Sequence, residues 1–139
     1  MPRSPNHERV AAAYRNSLRH EREVGFNALP QQEKELIATL LMHEEIRNGG
    51  FLQWLTNPHS DFADLAIQFL RRIGAHDRLR LVEAASALFP NGKIPATQAE
   101  RCACVSNWVN AHTKAFADID QQYYALERDL YDDMVSLVP

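Results

Sequence analysis

Apolar residues recur along this chain at three- and four-residue intervals, and nowhere do they alternate over a strand-length run. That recurrence marks one face of an α-helix, so the pattern predicts an all-α fold. The first helix spans about His7 to Val24, with Val10, Tyr14 and Leu18 in one stripe beside Ala13 and a solvated face of Arg and Glu. The second begins near Pro30, a favourable first-turn residue, and runs to Asn48. Its main face is Leu36, Ile37, Leu40 and Leu41, with Met42 and Ile46 opposite. A helix apolar on two sides belongs at the centre of a bundle.

The segment Gly49-Gly50-Phe51-Leu52-Gln53-Trp54-Leu55-Thr56-Asn57-Pro58 reads as a tight turn and a short helix halted by the proline. Ser60 or Asp61 is expected to cap a helix reaching Ile73, whose stripe is Phe62, Leu65, Ala66, Phe69, Leu70 and Ile73; Gly74 ends it. A further helix covers about Ala75 to Phe89, with Leu81, Val82, Ala85, Leu88 and Phe89 on one side, and residues 90–95 form a loop. Thr97-x-x-Glu100 has the form of a capping box. The helix it opens carries Cys102, Val105, Val109, His112 and Phe116 in one stripe. Cys104, Trp108, Ala111 and Ala115 lie opposite, as a candidate dimer seam or an internal contact. A last helix follows Asp118 or Asp120 and reaches about Val138, its apolar arc built from Tyr123, Leu126, Leu130, Met134 and Leu137. The expectation is a compact single domain over residues 1–139, with about six to eight helices.

Composition narrows the function classes. The chain has 139 residues, 45% hydrophobic and 24% charged, which suits one core that needs neither disulfide nor metal. With 15 Lys and Arg against 18 Asp and Glu, the net charge of −3 excludes a strongly basic nucleic-acid binder. Two cysteines without a framework, no apolar leader segment, and apolar runs far short of the roughly 20 residues of a membrane span lead to a cytoplasmic expectation.

Candidate chemistries fail on spacing. His43-Glu44-Glu45-Ile46-Arg47 has Arg47 where a zinc helix needs its second His. Cys102 and Cys104, two apart on a helix, point to opposite sides. Gly49-Gly50 precedes a helix without the lysine of a phosphate loop, and no Gly-x-Ser-x-Gly elbow occurs. No catalytic residue, cofactor or metal is therefore assigned. Glu44 and Glu127, each beside apolar neighbours, are candidate acid–base groups or carboxylates reaching the rim. Arg71, Arg72, Arg78 and Arg80 flank Gly74 as in a helix-turn-helix, but each helix there spends one face on the core.

The C-terminal segment carries more information. Residues 111–139 hold Lys114 and Arg128 against Asp118, Asp120, Glu127, Asp129, Asp132 and Asp133, a net −4 that leaves +1 for the rest. On one continuous last helix, Asp129, Asp132 and Asp133 share a polar arc at a spacing near that of phosphates along a strand. Two of them lie near the helix C-terminus, where negative charge is unfavourable.

Glu45, Ile46, Asn48, Gly49, Gly50, Phe51, Gln53, Trp54 and Asn57 fall in the order of a known signature. It resembles that of the DNA-mimic-protein-like family of small all-helical bacterial proteins. Ile73-Gly74-Ala75, Leu88-Phe89-Pro90, and Ile119-Asp120 followed by Tyr123-Tyr124 are similar to later elements of the same family. The resemblance covers about residues 29–138. It implies an all-helical domain, in one member a homodimer, whose surface carboxylates stand in for DNA phosphates on a transcription regulator. Duplex DNA carries one charge per about 1.7 Å, hence about twelve over 20 Å, so the segment's six carboxylates fall short unless a two-fold dimer doubles them.

The leading expectation is a non-enzymatic regulatory domain that binds a protein partner, with Asp118, Asp120, Asp129, Asp132 and Asp133 as its acidic face and no direct contact with nucleic acid or membrane. A small-ligand or enzymatic pocket around Glu45, Asn48, Gln53 and Asn57 is the alternative, and an antitoxin or immunity role a third.

Overall fold

The computed structural model describes residues 4–108 and 110–138. Helix α1 (Pro5–Val24) opens with the Ser4 hydroxyl accepting from the His7 N–H at 3.2 Å and closes at Gly25. A 3-10 turn (Phe26–Ala28) and the buried Leu29 lead into α2 (Gln31–Gly49), with Pro30 just outside it. Its two apolar sides have the expected consequence. Residues 35–40, Met42, His43 and Ile46 are all buried, and α2 packs against α1, α3 and α4.

Helix α3 (Phe51–Thr56) is a turn and a half long, yet Phe51, Trp54 and Leu55 are fully buried. Each such side chain contributes on the order of 1.5–3 kcal/mol, so a segment too short to be helical alone is fixed by packing. A 3-10 turn (Pro58–Phe62) leads to α4 (Ala63–Arg72) and then α5 (His76–Ser86). Helix α6 (Gln98–Asn107) starts where the Thr97 hydroxyl accepts from the Glu100 N–H, and it packs on α3. Helix α7 (Thr113–Tyr124) packs on α3 and α5, and α8 (Leu130–Met134) returns to α1. The core is one cluster drawn from α1 to α5, α7 and α8. The described residues form an all-α domain of eight α-helices.

Arg101 on α6 has no exposed surface. Its guanidinium donates to the carbonyls of Leu55, Asn57 and Pro95 at 2.8, 3.1 and 2.9 Å and to Asp61 Oδ1 at 2.6 Å. These acceptors include carbonyls left over at the end of α3, which a six-residue helix cannot satisfy internally.

Several boundaries correct the sequence reading. The helix expected from Ser60 or Asp61 begins as a 3-10 turn, and Ser60 caps nothing. Its buried hydroxyl donates to the carbonyls of Leu55 and Asn57. The stripe from Cys102 to Phe116 is divided between α6 and α7 by a turn in which Asn110 and His112 have φ of +67° and +66°. Val109 lies outside the described residues. The long last helix is likewise two: Asp118 and Asp120 lie inside α7, and α8 starts only after Asp129.

Candidate functional site

The Asn48-Gly49-Gly50-Phe51 turn joins α2 to α3. Gly50 has φ +87° and ψ 177°, a backbone state essentially reserved for glycine. A Cβ there would lie 2.5 Å from Asp120 Oδ2. The closeness has a purpose: the Phe51 N–H donates to Asp120 Oδ1 at 2.8 Å, so a carboxylate from α7 caps the first turn of α3. Burial pushes the Asp120 carboxyl up, against the bond from Phe51 that favours its ionised form. Tyr124, one turn further along α7, donates its hydroxyl to the Ile46 carbonyl at 2.9 Å. The rest of the signature closes the other side. Asn57 Nδ2 donates to Glu45 Oε1 at 2.9 Å, and His59 Nδ1 lies 3.1 Å from the same oxygen.

Past this turn the exposed side of α2 forms the floor of an open cleft of about 1130 Å³. Glu44, Glu45, Arg47 and Asn48 line the floor, Gln53 of α3 one wall, and His7, Asp129 and Tyr131 the other, with His43 at the base. His7 stacks on Tyr131 with ring centroids 4.0 Å apart, and its Nδ1 is 3.0 Å from Asp129 Oδ2. Glu44 is exposed and accepts from the Tyr14 hydroxyl at 3.2 Å. Burial pushes the Tyr14 hydroxyl above its ordinary range, helped by the Glu44 charge.

Behind the cleft lies a buried polar chain. His43 Nδ1 is 2.6 Å from the Tyr123 hydroxyl, and the Arg78 guanidinium lies 5.3 Å over the Tyr123 ring. Burial first, then Arg78 and Arg47, push the His43 ring down to about 3, so it is neutral at pH 7. Burial pushes Tyr123 up to about 12. The residues His43 and Arg47, one helical turn apart, were legible only as a failed zinc pattern. In the sequence Arg78 stands as one of four arginines flanking Gly74, and its place beside Leu79, Leu81 and Val82 puts it on a helix with a core face.

The five acidic residues occupy two helices and different surroundings. Asp118 on α7 is exposed and holds Lys114 at 3.0 Å; Asp120 faces inward as the α3 cap. Asp129 is the N-cap of α8, accepting from the Tyr131 N–H at 2.9 Å. Burial raises its carboxyl, but the bonds from Tyr131 and His7 outweigh this and hold it below the usual carboxylate range. Asp132 and Asp133 lie in the single turn of the five-residue α8, and Asp133, its side chain almost covered, pairs with Arg128. The long helix whose C-terminus they were expected to occupy is not formed. Glu127 is exposed.

The basic cluster is dispersed. Arg71 pairs with Glu83, Arg72 with the buried Glu35, Arg80 with Gln122, and Arg78 is buried. The four seam residues do not form one stripe: Cys104 is on α6, Trp108 and Ala111 lie in the turn, and Ala115 is on α7. Trp108 packs inward against Phe89 and Phe116. Among the described residues no group of His, Cys, Asp and Glu is arranged to hold a metal, and no helix is long and apolar enough to cross a membrane.

No curated protein and no solved structure matches the chain. A family profile described as DMP19-like protein matches residues 27–137. The match spans the signature turn, the Asp120 cap and all of α8, leaving residues 1–26, which include α1, and the last two residues outside. The chain belongs to the DMP19-like protein family.

Proposed function

We propose that this chain is a non-enzymatic regulatory domain that acts as a DNA mimic, occupying the DNA-contacting face of a DNA-binding protein with carboxylates of its C-terminal segment. Family membership carries the reading. The net −4 of residues 111–139 supports it. At α8 the support comes from Asp132 beside the exposed Glu127, with Asp129 half-exposed as the cap, while Asp133 is almost covered and paired with Arg128. Asp118, with more than half of its side chain exposed, adds a carboxylate from α7. Asp120 contributes differently, by fixing α3 to α7. A two-fold dimer would double the acidic row.

The test is capture of the partner on the full chain, followed by competition. Duplex DNA and salt are expected to release it, since phosphate-like contacts are salt-sensitive. Replacement of Asp129, Asp132 and Asp133 by Asn is expected to weaken binding; Asp129→Asn keeps the cap, and a circular-dichroism melt checks that loss of the Asp133–Arg128 pair leaves the fold intact. A partner that binds DNA and this chain together, or that ignores the Asn changes, contradicts the proposal.

One observation favours a second reading. Glu45, Asn48 and Gln53 of the signature line the open cleft together with Arg47, His43 and His7, an arrangement that suits a small polar ligand. The two readings separate in the variant lacking Asp132 and Asp133, which keeps the cleft and loses most of the acidic row.

A further inference from the structure

Arg78 is a cation buried without an anion. It is 6% exposed, and no carboxylate pairs with it among the described residues. One Nη donates to the Arg128 carbonyl at 2.8 Å, while Nε has no hydrogen-bond partner. The contrast with its neighbours is direct: the buried Arg101 has Asp61, and Arg72 has Glu35. Arg47 on α2 is exposed, and it too has neither a hydrogen bond nor an ion pair among the described residues.

Both arginines line one cavity of about 320 Å³ between α2, α5 and α7, with His43, Tyr123, Tyr124 and Leu126 completing the wall and no carboxylate on it. Glu44 and Glu45 border Arg47 on the open-cleft side and not in this cavity, and two further acids are engaged elsewhere. Asp129 is felt by His43 but held by His7 and the Tyr131 N–H. Asp120 is felt by Tyr124 but held by the Phe51 N–H.

An unpaired buried guanidinium is strongly unfavourable, and its natural complement is a carboxylate or phosphate that its fork can grip. We propose that this cavity binds the oxyanion group of a small molecule, a carboxylate or a phosphate, between Arg78 of α5 and Arg47 of α2. The hydroxyl of Tyr123 and the neutral ring of His43 stand beside the two cations as polar partners. A volume of about 320 Å³ lies at the lower end of ligand pockets, which limits the occupant to a small organic acid or phosphate monoester. Leu126 and the tyrosine rings give its apolar part a surface. The site uses none of Asp129, Asp132 and Asp133, so it stands or falls apart from the mimic reading.

The full chain is titrated separately with inorganic phosphate and with acetate, at ionic strength held constant with chloride, and followed by two-dimensional NMR. Saturable shifts of the His43, Tyr123 and Tyr124 signals are expected with at least one anion, and the tighter of the two identifies the ligand class. The His43 ring should titrate at higher pH in the anion's presence. Arg47→Gln, a surface change, should weaken binding roughly tenfold or more, as should Arg78→Lys, which keeps the charge and loses the fork. Arg80→Gln, outside the cavity, should bind as the parent does. If Arg78→Lys does not fold, Arg47→Gln decides together with the Tyr123 and Tyr124 shifts, since Arg47 and His43 also line the open cleft whereas the two tyrosines line this cavity and not the cleft. Absence of saturable shifts with both anions, or unchanged affinity in Arg47→Gln, overturns the proposal.

Discussion

His43 is the residue at which five helices meet electrostatically. It faces Arg47 on its own helix, Arg78 from α5, Tyr123 from α7, Asp129 and Tyr131 from α8, and His7 from α1. Burial and the two arginines oppose its proton, and only Asp129 favours it. The unfolded chain takes up that proton near pH 6.5, whereas the native ring refuses it until about 3. Between those values the unfolded state binds more protons, so stability falls as pH falls, by up to about 1.4 kcal/mol per pH unit. Urea unfolding at pH 7 and pH 5 should show a loss of about 2 kcal/mol that His43→Gln largely removes. An equal loss in both proteins would contradict a neutral buried His43.

Gly50 and Asp120 form a second residue-level unit. Gly50→Ala should cost about 1–3 kcal/mol from backbone strain alone, and more from the contact with Asp120. Asp120→Ala should cost about 0.5–2 kcal/mol as a lost cap. In the double variant the contact is gone, so its loss should be smaller than the sum of the two single losses. Additivity to within about 0.5 kcal/mol would mean that the two do not interact. The sequence displayed the glycine turn plainly, but its partner stands 69 positions away, a distance that leaves no periodic trace. Arg78 and Arg101 were illegible for a related reason. An arginine is buried only when tertiary neighbours supply acceptors, as carbonyls 40-odd positions away do for Arg101.

Among the elements, α1 to α5 follow closely from the spacing of apolar residues, because each buries an apolar face, on two sides in α2, and a glycine or proline lies within a few residues of each end. The C-terminal third does not. The break after α6 contains neither glycine nor proline, and Asn110 and His112 adopt the left-handed conformation instead. The apolar period runs on through it, so sequence alone reads one helix where the chain turns. The same continuity hid the gap between α7 and α8 and, with it, the true position of the acidic residues at a helix start. Arg101 ties α6 to the short α3, and the prediction at this scale concerns that tie. Arg101→Met should destabilise the chain by about 3 kcal/mol or more, because it leaves the Leu55, Asn57 and Pro95 carbonyls without their donor. Arg101→Lys should rescue little, because an ammonium cannot span the four acceptors. Thermal unfolding that shows Arg101→Lys near the parent would contradict a role for the fork.

Over the whole molecule, 15 basic and 18 acidic residues describe a surface on which many acids are already engaged. Glu8, Glu33, Glu45, Asp118, Asp129 and Asp133 each have a basic or histidine partner. A mimic built on this chain is therefore local, a short acidic row at the start of α8, not a full-length imitation of a duplex. The buried Arg78 and the exposed Arg47 line a cavity whose wall carries no carboxylate, although Arg47 also borders the open cleft with Glu44 and Glu45.

The most direct test of the DNA-mimic role is equilibrium competition among three components: the full chain, a DNA-binding protein captured by it, and duplex DNA carrying that protein's site. The mimic reading predicts mutually exclusive binding, weakened by salt, and a loss of roughly tenfold or more when Asp129, Asp132 and Asp133 are all Asn. A stable ternary complex, or affinity unchanged by those three substitutions, would contradict it.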